Sequence, residues 1–426
     1  MQSMKRISKL NIIFTLLILA GTFGKTGLVF AQDTEKVTVS KVRVFLDDQE
    51  LLCDEDSIAE GKIKLSTILS YTQLKTEKEY SLEKLEKEIE QTKLRLLNSG
   101  LFYNATVEKM KSRKNPGTYI IYINVTTGFL QRFGGGGIYA VFGNAGLHGN
   151  REQLLWFLGW NKNGASYKYE HAFNSPLILG ADLFTDMPYC FTTEDGINVE
   201  GKGTIGAFLT PDVRLCLDAK ATYNFKNLNF TDNFALSPYL SITKIPSEKL
   251  FTTTEIRFFY YPLLNWEQMF DTAYTINYSP VKKLTLAALA AGGYSVQSNT
   301  HGLSLNRENT ALFENLGLAN RGIRSGYSDA ELNVRGYLMG TLEIRWNAFD
   351  FTIPPCFPGM IVPYVFADVA AVEKLGGEKG DVSIMDAYGV GVQINFACPV
   401  FAYFNFSYGI NHQGKGKFYF AAVQSF

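Results

Sequence analysis

The sequence predicts a β protein: a 16-stranded antiparallel transmembrane barrel preceded by one small α+β domain. Three observations predict it. From about residue 129 onward no helical period survives, and apolar and polar residues alternate along strands longer than those of ordinary soluble sheets. The connections between these strands alternate between short and long. The chain closes on KFYFAAVQSF, with Phe426 as its last residue. Alternation alone also fits a soluble sandwich. Long strands with alternating connections fit a ring that crosses a hydrocarbon slab, where an unpaired backbone finds no water and only closure removes the sheet edges.

The pattern is clearest in VRLCLDAKATYNF (213–225). Val213, Leu215, Leu217, Ala219, Ala221, Tyr223 and Phe225 share one face, while Arg214, Cys216, Asp218, Lys220, Thr222 and Asn224 share the other. FDTAYTINYS (270–279), LEIRWNA (342–348) and FNFSYGIN (404–411) repeat it. Candidate strands centre near 131, 139, 155, 169, 182, 203, 219, 240, 257, 274, 288, 345, 367, 392, 406 and 421. The even number puts both ends of the barrel on one side, with the short turns NSP (174–176), TPD (210–212) and SPVKK (279–283). The first strand is weak, because Gly134, Gly135, Gly136 and Gly137 follow one another in it. Between the eleventh and twelfth strands lies an outer-side loop over about 296–340, a length that is usually functional.

Ahead of the barrel the chain divides in two. Residues 1–31 have the plan of a signal peptide. Lys5, Arg6 and Lys9 lead, NIIFTLLILAG (11–21) is the apolar core, and Val29 and Ala31 stand at cleavage-site spacing. Residues 36–128 form a small water-facing domain rich in Lys and Glu. VTVSKVRVFL (37–46) is a strand, and 63–71 is a short helix. SLEKLEKEIEQTKLRLLNSG (81–100) is a longer helix with Leu82, Leu85, Ile89 and Leu96 on one face, Ser81 as cap and Gly100 as stop. Two strands joined by Asn115-Pro116-Gly117 complete it.

Composition excludes several functions. Lys and Arg number 41 and Asp and Glu 41, so no basic footprint for nucleic acid exists. The five cysteines include no CxxC pair and the four histidines have no ligand spacing, so neither a metal nor another cofactor is expected. GYSDA (326–330) begins like a nucleophile elbow but lacks the closing glycine, and no enzyme activity is expected.

The small domain resembles a POTRA module, the periplasmic unit of outer-membrane assembly proteins. NSGLFYNATVE (98–108) is similar to that family's step from second helix to second strand. The C-terminal region resembles the BamA/TamA superfamily of outer-membrane assembly factors (the surface antigen family) and its two-partner-secretion relatives. In that superfamily the sixth outer loop folds into the barrel and carries a V/L-R-G-F/Y tip, which Val334, Arg335, Gly336 and Tyr337 match. Phe366 and Asp368 in YVFADVAAV (364–372) match the family's Phe-x-Asp, GVGVQI (389–394) its glycine-rich strand, and Phe426 its assembly signal. A departure is the segment ENLGLANRGIRSGYSDAE (314–331), which holds a second Arg-Gly at Arg321-Gly322.

The resemblance implies an insertase in the outer membrane with its N-terminal domain in the periplasm. Its partners would be unfolded outer-membrane clients, periplasmic or lipoprotein accessory factors and membrane lipid. Arg335 would be held by Asp368 or Glu343 in the lumen, Gly336 would turn the loop tip, and Tyr337 would pack there. The glycine run 134–137 opposite the strand ending at Phe426 would be a weak seam. The small domain would offer the strand near 104–110 as an edge for β-augmentation. The alternatives are a two-partner-type secretion pore and a passive porin or surface antigen.

Overall fold

The computed structural model describes residues 36–53, 63–112, 115, 117–128, 130–136, 139–144, 146–159, 163–186, 197–225, 229–230, 234–262, 267–296, 303–305, 322–353, 357–375, 380–396 and 402–424. The segment 1–31 lies outside them. The N-terminal sheet has β1 (Lys36–Leu46), β2 (Gln49–Leu51), β3 (Glu79–Ser81), β4 (Phe102–Lys111) and β5 (Thr118–Thr127). Its order is β2-β1-β5-β4, with β3 alongside β1 and only the β1–β5 pair parallel. The strands β2 and β3 are too short to show a period in the sequence.

Helices Leu65–Leu69 and Leu82–Asn98 cover the sheet, and Ile68, Leu85 and Leu96 bury against Val39, Val107, Ile121 and Ile123. The long helix starts where the Ser81 hydroxyl accepts from the Lys84 N–H at 3.3 Å, and the chain turns away at Gly100 with φ 70°. β4 stands at the end of the sheet path with β5 as its neighbour, and Tyr103 and Met110 on it are exposed.

The barrel begins with β6 (Gln131–Gly136), β7 (Tyr139–Asn144), β8 (Arg151–Gly159), β9 (Asn163–Ala172), β10 (Leu177–Asp186), β11 (Asn198–Thr210) and β12 (Val213–Asn224). It continues through β13 (Asn229–Phe230), β14 (Ala235–Ser247), β15 (Leu250–Tyr261), β16 (Glu267–Val281), β17 (Leu284–Ser295) and β18 (Leu303–Ser304). The last strands are β19 (Asn333–Trp346), β20 (Phe349–Ile353), β21 (Phe357–Lys374), β22 (Val382–Phe396), β23 (Ala402–Ile410) and β24 (Gly416–Gln424). Without the short pieces β13, β18 and β20, sixteen antiparallel strands remain, and the ring closes between β24 and β6. No helix among the described residues is long and apolar enough to cross a membrane; the strands do so.

The two faces of the ring separate as the period-2 pattern requires. Leu215, Leu217, Leu342, Ile344, Val390 and Phe418 are exposed on the outside, a band suited to hydrocarbon. The inner face of β8 to β15 is a mesh of ion pairs. Glu170 meets Lys168 at 2.5 Å and Arg214 at 3.6 Å, Lys202 meets Asp182 at 2.6 Å, and Arg257 meets Asp218 at 3.0 Å. Such charges stay in a barrel only where they pair or are wet.

The small domain is docked onto the turns at the β7–β8, β11–β12 and β14–β15 end of the ring. Arg95 forks onto Asp212 at 2.7 and 2.8 Å and also reaches Glu88 at 2.8 Å. Burial opposes the charge on Arg95, but its bond to Asp212 and the field of Glu88 outweigh that, and its pKa stands above the ordinary value. Lys93 pairs with Glu248 at 2.9 Å, and the Thr67 hydroxyl donates to the Gly149 carbonyl at 2.9 Å. The Arg151 guanidinium lies over the Tyr71 ring, 4.2 Å from its centroid.

The lipid-facing assignment predicts that Leu342→Arg, at an outward position that is 65% exposed, costs about 2–4 kcal/mol of folding into phosphatidylcholine vesicles. Urea titration of the folded fraction measures it. A neutral result would mean that this face does not meet hydrocarbon.

Candidate functional site

After β17 the chain folds back into the barrel instead of staying outside it. β18 pairs with the start of β19, Leu303 opposite Val334. Leu305 donates its N–H to the Leu332 carbonyl at 2.8 Å, and Ile323 donates to the Leu305 carbonyl at 3.2 Å. A single helical turn, Asp329–Leu332, then leads into β19. Ser328 and Glu331 cap it reciprocally: the Ser328 N–H donates to the Glu331 carboxylate at 2.8 Å, and the Glu331 N–H to the Ser328 hydroxyl at 3.4 Å. This closing turn is anchored by Leu332 and Val334, both buried.

At the tip is Arg324, whose relative exposure is 0%. Its Nε and Nη2 donate to the two oxygens of Asp368 at 2.9 and 2.7 Å, and its Nη1 donates to Glu343 at 2.5 Å. Its backbone N–H also donates to Asp368, at 3.1 Å. The acceptors come from β19 and β21, whose register sets Thr341 opposite Asp368 and Glu343 opposite Phe366. These four inward side chains therefore form one patch. The Thr341 hydroxyl donates to Asp368 at 2.9 Å, and Arg345 approaches the second Glu343 oxygen at 2.6 Å. Two guanidinium groups thus balance two carboxylates. The Phe366 ring lies 3.5 Å from the Arg324 guanidinium carbon, a cation–π contact.

One glycine makes room for the tip and a second for the ring beneath it. A Cβ on Gly409 of β23 would stand 1.7 Å from the Arg324 carbonyl oxygen, and one on Gly389 of β22 would stand 2.8 Å from the Phe366 ring. Gly389 pairs with both Phe366 and Gly409 across the sheet. Around the tip the lumen is apolar. Leu305, Ile323 and Tyr327 of the loop pack against Met339, Val372 and Met385 of the wall. The loop displaces lumenal water on this side, so inward positions here carry apolar residues where the opposite wall carries ion pairs.

The sequence places the tip at Val334, Arg335, Gly336 and Tyr337, and the structure corrects this. All four lie within β19, which begins at Asn333, so the loop ends before them. Arg335 pairs with Glu373 at 3.0 Å, and the Tyr337 hydroxyl donates to Asp271 at 2.5 Å. Arg335 is six residues from Thr341 along the strand, about 20 Å at ~3.4 Å per residue, so Asp368 and Glu343 are beyond its reach. Gly336 does not turn the chain. It lets the Tyr294 ring cross the strand, where a Cβ would meet that ring at 2.5 Å.

Asp368 and Glu343 face the lumen and accept from Arg324, and Phe366 lies beneath it. The signal that would have found Arg324 is the run Ile323-Arg324-Ser325-Gly326-Tyr327, an Arg-Gly-aromatic tip with one Ser inserted. Of the seam residues, Gly134, Gly135 and Gly136 lie on β6, opposite Val141, Ala140 and Tyr139 of β7. Gly137, Phe426 and Arg321 fall outside the described residues.

Removing Arg324 leaves two carboxylates buried side by side without their common partner. Arg324→Ala is expected to destabilise the folded loop by about 3–5 kcal/mol, and Arg335→Ala by less. Protease sensitivity of the loop together with urea unfolding reads both. A larger effect from Arg335→Ala would reverse the assignment of the tip.

No protein-family model and no curated protein matches the chain. Among solved structures, CdiB from Escherichia coli is similar with a TM-score of 0.59 and 10% identity, over 91% of this chain and 76% of that one. CdiB from Acinetobacter baumannii is similar with a TM-score of 0.53 and 12% identity, over 91% and 74%. BamA from Haemophilus ducreyi lacking POTRA domains 1–3 aligns over 91% and 84% with 13% identity and a TM-score of 0.46. At these identities the two CdiB likenesses speak for architecture: this chain shares their fold over nearly its whole length.

Proposed function

We propose that this chain is an insertase of the outer membrane, with its POTRA-like N-terminal domain in the periplasm and its barrel in the bilayer. Its clients would be unfolded outer-membrane proteins. The observation that carries the reading is the closure of the ring. β24 meets β6, a strand of only six residues that includes Gly134, Gly135 and Gly136, whereas β21 and β22 have 18 and 15. A short glycine-bearing strand offers few ladder bonds and little side-chain packing, so this junction costs least to open. An opened edge presents unpaired N–H and C=O groups to an incoming strand.

Two further features support the same reading. Among the described residues β4 ends the sheet path of the small domain, and its outer edge would receive an extended segment in the same way. The buried Arg324 cluster holds the loop against β19 and β21 and so fixes that side of the ring. No bond of the client is made or broken, so no catalytic residue and no cofactor is required. Accessory periplasmic or lipoprotein factors would dock on the small domain.

A secretion pore of the two-partner type is the second reading. It is favoured by the ion-paired wall from β8 to β15, which suits a hydrated path beside the loop. A passive porin would use the same wall and leave the small domain without a role. Depletion of the protein followed by outer-membrane proteomics separates them. Broad loss of other barrels is expected, with partial recovery by a plasmid copy carrying Arg324→Ala and full recovery by the wild type. Loss of one exported polypeptide alone would favour the secretion pore, and an unchanged outer membrane would favour the porin.

A further inference from the structure

The tip of the inward-folded loop is gripped from two walls. The Arg324 side chain belongs to β19 and β21. Its backbone N–H also meets Asp368, while the carbonyls around it are held by the strands next to the closure. Tyr419 on β24, 5% exposed, aims its hydroxyl at the carbonyls on either side of Arg324: that of Ser325 at 2.8 Å and that of Ile323 at 3.3 Å. The Gly326 N–H donates to the Lys415 carbonyl at 3.3 Å, in the turn between β23 and β24. Gly409 on β23 admits the Arg324 carbonyl where any side chain would clash. The strand that carries Tyr419 is the one that meets β6.

From this we infer that Tyr419 is a positioning residue that couples the loop tip to the closure of the ring: with Arg324 docked, the Tyr419 hydroxyl holds β24 in place, and withdrawing the tip releases it. The inference rests on the insertase reading for its purpose, not for its geometry. β24 is bound along its length to β23, register Ala402–Gln424 to Ile410–Gly416, while its other neighbour supplies six residues. Outward movement of β24 must carry the Tyr419 hydroxyl away from carbonyls that the Arg324 ion pairs hold in place. The coupling is reciprocal, since any group that favours the docked tip also favours the closed strand. Its size is that of one hydrogen bond to a buried carbonyl pair, roughly a three- to tenfold change in the opening equilibrium.

Amide hydrogen exchange of the full chain in lipid nanodiscs tests this. Tyr419→Phe keeps the ring and removes only the hydroxyl. It is expected to speed exchange in 416–424 and 131–136 roughly three- to tenfold while leaving 357–374 unchanged. Arg324→Ala is expected to speed the same two segments, and adding Tyr419→Phe to it to do little more, because the tether has already lost its anchor. Tyr167→Phe is the control. It removes a hydroxyl that donates to Glu152 at 2.5 Å on the outer face of β8 and β9, out of contact with the loop tip, and it is expected to leave the closure as it was.

Unchanged exchange in 416–424, a uniform rise across all strands, or full additivity of the two substitutions would each overturn the tether. Assembly of a urea-unfolded eight-stranded barrel by reconstituted protein keeps the two ideas apart. Faster exchange at the closure with normal assembly would support the tether and count against the insertase. Normal exchange with impaired assembly would do the reverse.

Discussion

A charged guanidinium sits in this barrel with no exposure to solvent, and much of the surrounding structure exists to make that tolerable. Taking Arg324 out of water costs several kcal/mol, and the cost is offset only if its donors are met in good geometry. Asp368 answers with both oxygens, Glu343 with one, and Phe366 covers the face of the group. Arg345 and Thr341 in turn occupy the carboxylates, so the cluster is neutral and connected. The register of two adjacent strands brings these groups together, Gly409 leaves the space that the loop needs, and Gly389 that of the Phe366 ring.

The consequence is a lumen with two characters. On the side of β16 to β22 the loop brings apolar side chains that meet Met339, Val372 and Met385, and the interior there is a packed core. On the side of β8 to β15 the inner face is polar and ion-paired. A barrel of this size therefore divides into a stiff sector and a wet one. The stiff sector lies beside β23 and β24, the wet one runs from β8 onward, and between them the ring closes on the short strand β6. The N-terminal domain is fastened to turns of the ion-paired half through Asp212, Gly149 and Glu248.

Alternation and hairpin turns are local properties, and the sequence by itself determined what depends on them. The strand centres follow from residues such as those in 213–225, whose inward and outward sets are written two apart. Sixteen strands, the capped helix Leu82–Asn98 and the end at which the small domain lies follow in the same way. The inward direction of Asp368 and Glu343 was also legible, since each alternates with apolar neighbours. What misled was glycine. Gly336 and Gly340 interrupt the alternation of β19, so its first half reads as loop, and an Arg-Gly-Tyr in a wall strand passes for a tip. The true tip carries an extra Ser325 between Arg324 and Gly326, which hides it from a fixed spacing. Which of several arginines finds a buried carboxylate depends on a loop folding across strands distant in sequence, and on backbone clearance at Gly389 and Gly409. No local pattern encodes that distance, and only the closed tertiary structure decided it.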